Sequence, residues 1–455
     1  MRIQAGRKLR EELPPSRMNS YRTMQTAGTA GNAPIPLRPK FSSVFSRSTA
    51  ILLFAIACYK TVPEDIWRAI LPWKTSTENP LIVLCFLSFL LEALFYRSKG
   101  GRMLLLLAIA GAVMALVGIW RGSYLDPGVD PRILPYDILI YCGAVLGFGW
   151  GRRRTPEQLA RFFRRLCLVM AGALACTVIG LQTGILTPLS GGARLYTFSL
   201  FHATWSVACL CPFILLGKDP QRPGGHTKRR LVIVGACLMA ILGAALVSGT
   251  RSMLVEATLA ALFCLWGAAR ETSVKHWPKV GAITLAFALL VLAITPTERS
   301  EFIAERYRDT EFRSEGRVEE AVLLFQDLRE DVVWGRGFGS WFYTGRSLSP
   351  EEWAWSAHIG VLTPLLKGGV FLFSLLVVWP VVSATRCMTV NKNPWVFRCW
   401  GVVVSYPVFA SLAGGWSFLL LFWYAACWAA ATRTSGQSPR NTAAGRLLSP
   451  CAAGN

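Results

Sequence analysis

Apolar runs long enough to form membrane helices recur along this chain, separated by short polar stretches. A helix needs about 20 residues to cross the hydrocarbon core, with a workable range of roughly 17–25. Twelve runs approach or meet that length: about 44–60, 80–96, 103–120, 133–150, 164–186, 195–217, 231–248, 252–269, 279–295, 368–385, 396–413 and 415–432. The first is short, with a clean run only from Ser48 to Tyr59. The last two are separated by little more than Gly414-Gly415 and predict a tight helical hairpin. The fold expected is all-α: a polytopic integral membrane protein of about 12 transmembrane helices. One polar interruption breaks the rhythm, at residues 296–367. The chain therefore divides into a basic, disordered tail (1–46), a bundle of about nine spans (47–295), the long loop (296–367), three further spans (368–432) and a second tail (433–455).

Charge orients this array. Lys and Arg concentrate in cytoplasmic loops. With the N-terminus inside, the inside loops are 97–102, 151–165, 218–230, 270–278 and 386–395. Of these, 151–165 alone carries Arg152, Arg153, Arg154, Arg161, Arg164 and Arg165. The short outside loops carry fewer, among them Arg121, Arg132, Arg194 and Arg251. Both termini then lie in the cytoplasm and the 296–367 loop lies outside. In a bacterium that is the periplasmic face of the inner membrane, where any energy-rich donor must arrive already activated.

Composition removes other classes. The chain of 455 residues is 53% hydrophobic and 16% charged, which is not a soluble multidomain enzyme. Its net charge is +22, but the basic residues concentrate at the ends of apolar runs, so no nucleic-acid partner is expected. The 13 Cys form no C-x-x-C pair, and none lies in the long loop, so neither a disulfide framework nor a zinc site is indicated. No His, Asp and Glu fall at metal-ligand spacing; a metal-independent site without a cofactor is expected.

Candidate chemistry lies on the outside face. In the long loop, Val318, Ala321, Val322, Phe325 and Leu328 recur at helical spacing and predict an amphipathic helix on the membrane or on the bundle. Arg317 stands just before that stripe. Trp334-Gly335-Arg336-Gly337-Phe338-Gly339 follows. It lacks the strand–helix context of a dinucleotide site and reads as a tight turn returning the chain to the bundle. His358 then heads a helical face with Val361, Leu362, Leu365 and Leu366, on which Pro364 predicts a kink. A His at the water–lipid boundary without a catalytic role is the competing reading. Most loop Arg face an abundance of Asp and Glu and are expected to be paired or solvated. Arg194 and Arg251 differ, each sitting at the mouth of an apolar span with few acids near. Arg suits forked phosphate contacts; snorkelling to headgroups stays open as the alternative. Glu92, Asp137 and Glu256 fall within spans, where acids are functional candidates. Glu256 is placed to orient Arg251.

Over roughly residues 80–430 the chain resembles the O-antigen ligase / O-antigen polymerase family of bacterial membrane proteins. Ser248-Gly249-Thr250-Arg251-Ser252 resembles the family's Ser-x-Ser-Arg turn. Gly316-Arg317-Val318 and its helix, ending in Trp334–Gly339, resemble the family's Arg-led helix and Gly-rich ending. Ala357-His358, an apolar helix and Gly368-Gly369 resemble its His-Asn … Glu-x-Gly segment. Gly192-Ala193-Arg194 resembles an Arg-containing segment of the ligases. Ile359 replaces the Asn after the His, Lys367 stands near the missing acid, and Thr250 replaces the second Ser. These departures leave ligase, polymerase, protein O-glycosyltransferase and an inactive member open. The resemblance implies a glycosyltransferase of the GT-C membrane class. It would move a glycan from an undecaprenyl-pyrophosphate-linked donor to a glycan or lipid A-core acceptor, with inversion. Arg194, Arg251 and Arg317 would bind the donor pyrophosphate, and His358 would be catalytic. The other function classes are a transporter or flippase of lipid-linked or small substrates and a non-catalytic partner of a polysaccharide assembly complex.

Overall fold

The computed structural model describes residues 39–61, 78–95, 101–123, 128–183, 197–216, 228–248, 251–271, 310–343, 353–354, 357, 359–391, 393–413 and 416–434. Helix dominates them. In chain order the helices are α1 (Pro39–Thr61), α2 (Glu78–Phe95), α3 (Gly101–Ser123), α4 (Leu134–Arg153), α5 (Pro156–Gln182), α6 (Thr197–Leu210), α7 (Lys228–Ser248), α8 (Arg251–Glu271), α9 (Thr310–Asp327), α10 (Thr363–Phe373), α11 (Trp379–Val390), α12 (Pro394–Ala413) and α13 (Phe418–Thr434). Helices stand at every predicted span except the ninth, 279–295, which lies outside the described residues. Among the described residues, four stretches are long and apolar enough to cross a membrane: Gly101–Ser123, Pro156–Gly180, Arg229–Leu246 and Gly360–Val390. The other apolar helices are shorter. Among the described residues, the extended pairing is a small antiparallel ribbon in the long loop, β1 (Phe342–Tyr343) with β2 (Trp353–Ala354), and an isolated bridge between Val129 and Ser340.

The core is organised around α13. Its residues are buried continuously from Phe418 to Ala431, and a helix apolar all round belongs in an interior. Its most extensive packing is on α4; α12, α11 and α6 complete its surroundings. The α4 face that meets it carries Gly143, Gly147 and Gly151, one per turn. A Cβ at any of these would run into the carbonyl of Phe418, Phe422 or Ala426 respectively. Small residues at this spacing let two helix backbones meet directly, as in membrane helix pairs. Arg433 Nη1 closes the far end by donating to the carbonyls of Arg152 and Arg154, each at 2.9 Å. The α3 helix is the opposite case. Leu105, Ile109, Leu116, Ile119 and Trp120 stand exposed along it, which suits a face turned to lipid.

The Gly360–Val390 span is broken. A 3₁₀ turn at Gly360–Leu362 leads into α10, with Pro364 in its first turn, where the missing N–H is harmless. The kink expected at Pro364 is therefore displaced. It falls at Gly368 (φ −144°, ψ 22°) and Gly369 (φ 59°, ψ −160°), whose backbone leaves the helix. A π turn, Ser374–Val378, follows before α11.

The break is filled by the Gly-rich turn of the long loop. Arg336 N–H donates to Leu366 O (2.8 Å), Gly337 N–H to Lys367 O (2.9 Å) and Val370 N–H to Val332 O (2.9 Å). Phe338 N–H reaches Met114 O (3.0 Å), and Asp130 N–H reaches Gly339 O (2.9 Å). Irregular backbone is tolerated at such depth only when protein satisfies it. Gly335 and Gly337 (φ 68° and 86°) meet the backbones of Gly368-Gly369 and Gly118, so neither position has room for a side chain. Met114 lies nine residues from the end of α3, so the turn penetrates roughly 13 Å along that helix at 1.5 Å per residue.

Candidate functional site

Two constellations matter: the anchor that seats the long loop, and the surroundings of the four predicted site residues.

The anchor is ionic and fully buried. Asp137, in the first turn of α4, and Lys367, on α10, are both 0% exposed, and Lys367 Nζ lies 2.7 Å from Asp137 Oδ2. The same oxygen accepts from Gly339 N–H (2.7 Å), and Oδ1 accepts from Trp416 Nε1 (2.8 Å). Lys367 Nζ also donates to Ser340 O (2.7 Å). Phe338 packs between Tyr141 and Trp416, with ring centroids at 5.5 and 6.4 Å. Buried charges persist only when paired and hydrogen-bonded, and here each partner is both. Asp137 is thereby a structural acid.

A second, half-buried ionic chain lies above it. Arg336 forks onto Asp327 at 2.7 and 2.9 Å and its Nε lies 3.5 Å from Asp331. Asp331 also accepts from both terminal nitrogens of Arg121, one of them at 2.9 Å. These two arginines hold the loop to α3 and are committed to carboxylates. The abundance of acids in the loop expected such pairing.

Of the predicted site residues, Arg194 and His358 lie outside the described residues. Arg251 opens α8, and Arg317 lies in α9; their backbones are described and their side chains are not. What is visible is how their supports meet. Arg194 stands three residues before the start of α6, and α6 packs on α8. Both pack on α12, and so does the 3₁₀ turn Gly360–Leu362 that follows His358. The pairings along α12 run antiparallel to both helices. Cys209 Sγ lies 3.9 Å from Ser405 Oγ, while Trp205 packs edge-on to Phe409. On α8, Gly267 abuts Arg398 and Phe263 abuts Gly401. The N-terminal ends of α6 and α8 therefore both approach the C-terminal end of α12. Ala357, next to His358, is buried in a small cluster with Leu324, Leu328, Phe342, Leu365 and Leu366. Arg317 lies on α9 seven residues before Leu324 and eleven before Leu328.

Glu256, expected to orient Arg251, is fully buried with Thr204 as its polar neighbour. A narrow crevice lies between α6, α8 and α12, lined by Ala208, Ala260, Phe263, Gly401 and Phe409 together with Arg398 and Ser405. Among the described residues, no group of three or more His, Cys, Asp and Glu could hold a metal ion.

The pairing of Asp137 with Lys367 was not read from the sequence, although a signal exists. Lys367 is the only Lys between Lys279 and Lys392 and sits in an apolar run. An acid inside a span needs a counter-charge, and Lys367 is the available one. The chain matches no family model, no curated protein and no solved structure.

Proposed function

We propose that this chain is a glycosyltransferase of the bacterial inner membrane. It moves a glycan from undecaprenyl pyrophosphate to an acceptor hydroxyl at the periplasmic face. The observation that carries the reading is the convergence on α12 of the three elements that bear or adjoin Arg194, Arg251 and His358. Arg317 would join from α9, which packs on β1.

The chemistry follows from these residue types. The acceptor oxygen attacks the anomeric carbon from the side opposite the pyrophosphate. The bond from that carbon to the phosphate oxygen breaks, and the configuration inverts. His358 takes the acceptor's proton. Negative charge grows on the departing pyrophosphate, and Arg194, Arg251 and Arg317 stabilise it through charge-assisted hydrogen bonds. The acceptor is a lipid A core or a growing glycan.

His358→Ala and Arg251→Ala are the test, in cells with the native glycan pathway. Both variants are expected to stay in the membrane, abolish glycan attachment and accumulate lipid-linked donor. Retained attachment in both overturns the proposal. Loss of the whole surface ladder marks a ligase; a single remaining repeat marks a polymerase.

A further inference from the structure

The α9 helix buries only part of the stripe that the sequence displays: Leu328 is buried, whereas Val318, Val322 and Phe325 are exposed. On a wheel of about 100° per residue, its surface divides into three arcs. Glu320, Leu324 and Leu328 form a buried arc against the bundle. Val318, Val322 and Phe325 form a second arc that is apolar yet exposed, with Val318 at 64% and Phe325 at 48%. Glu319 and Gln326 form a third, polar and exposed. The apolar surface is thus about twice as wide as the protein covers.

We propose that this second arc lies in the lipid of the outer leaflet, so that α9 is an interfacial helix and not a lid in water. Three observations favour a bilayer surface as its occupant. The order of the arcs is protein, apolar, polar, which a helix at the junction of bundle, lipid and water requires. Its C-terminal end is fixed in level, because the Asp327–Arg336–Asp331–Arg121 chain ties it to the end of α3, beside exposed Trp120. The exposed apolar surface also continues onto the spans. Val333 and Trp334 (66% exposed) follow directly, and Val332 is hydrogen-bonded to Val370, where Val370 and Phe371 stand exposed at the start of the unbroken part of the span. Trp120 and Trp334 sit where interfacial tryptophans anchor membrane proteins. A helix so placed has its apolar face about 5–10 Å into the headgroup boundary.

The test is photo-crosslinking of the full chain, purified and reconstituted in liposomes of phosphatidylethanolamine and phosphatidylglycerol. p-Benzoylphenylalanine replaces Phe325 or Val322, with Leu116 on α3 as the lipid-facing reference and Gln326 as the water-facing one. Lipid adducts are expected at Phe325 and Val322 in yields matching Leu116, and their loss at Gln326. Three outcomes overturn the placement: no lipid adducts at Phe325 and Val322, crosslinks there to a second copy, or equal labelling at Gln326. The readout needs no glycan transfer, so it stands or falls apart from the proposed activity.

Discussion

Lys367 and Asp137 show what one buried charge asks of the rest of a protein. Each has 0% exposure, and together they use a backbone N–H, a backbone carbonyl and an indole N–H as well as each other. Removing one partner leaves the other buried and unpaired, which costs about 3–5 kcal/mol. Lys367→Met is therefore expected to lower the thermal stability of the detergent-solubilised protein sharply. Asp137→Asn with Lys367→Met is expected to recover much of the loss, as replacement of a whole buried pair often does. A thermal scan of the single and double variants checks both. The sequence exposed Asp137 as an acid within a span and Lys367 as an oddity near a missing acid. Hydropathy cannot state that two residues so far apart meet, because that contact is made by folding.

At the scale of elements, helix positions were legible and their contacts less so. A run of apolar residues reveals a helix whether or not it is straight, since hydropathy does not see φ and ψ. Hydropathy places a span at 368–385 and leaves residues 360–367 in the loop, whereas the apolar stretch runs from Gly360 to Val390; the break is expected at Pro364, which in fact starts a helix. The actual break uses Gly368-Gly369, and only the loop that fills it explains why two glycines stand there. On α9 the stripe predicted the helix correctly, but the buried face is set by Leu324 and Leu328, with Val318, Val322 and Phe325 left outside. The Gly143, Gly147 and Gly151 row was fully visible at a spacing of four, and it decides the tightest helix pair in the molecule. Gly147→Leu would drive a side chain into the Phe422 backbone. Overpacking of this kind costs typically 1–3 kcal/mol and more against immovable backbone. The variant is expected to be cleaved far faster than wild type by protease in detergent micelles, while Gly172→Leu, with open space at its Cβ, is expected to behave as wild type.

For the whole molecule, the proposed orientation follows from charge in the loops and can be read directly. Alkaline phosphatase is active only outside the cytoplasm, so fusions at Gly345 are expected to be active and fusions at Thr155 or Gly224 inactive. Activity at Thr155, or its absence at Gly345, would invert the arrangement and remove the predicted site from the periplasm. Of that site, the sequence supplied the residue types and the structure supplies the meeting of their supports on α12. Of the long loop's arginines, Arg336 holds carboxylates as the abundance of acids predicts, and Arg121 at the end of α3 holds Asp331.

The seating of the Gly-rich turn also sets an order of assembly. Asp137 is made and inserted long before its partners, since Gly339 lies 202 residues later and Trp416 279 residues later. Contacts so distant in sequence form slowly, because a long loop must close before they contribute. Until then the α3–α4 hairpin carries an uncompensated acid and an unfilled groove beside Gly118. The bundle is consequently a half-finished lock through most of synthesis, and the insertion of residues 332–341 against a completed α10 is the late step that turns it.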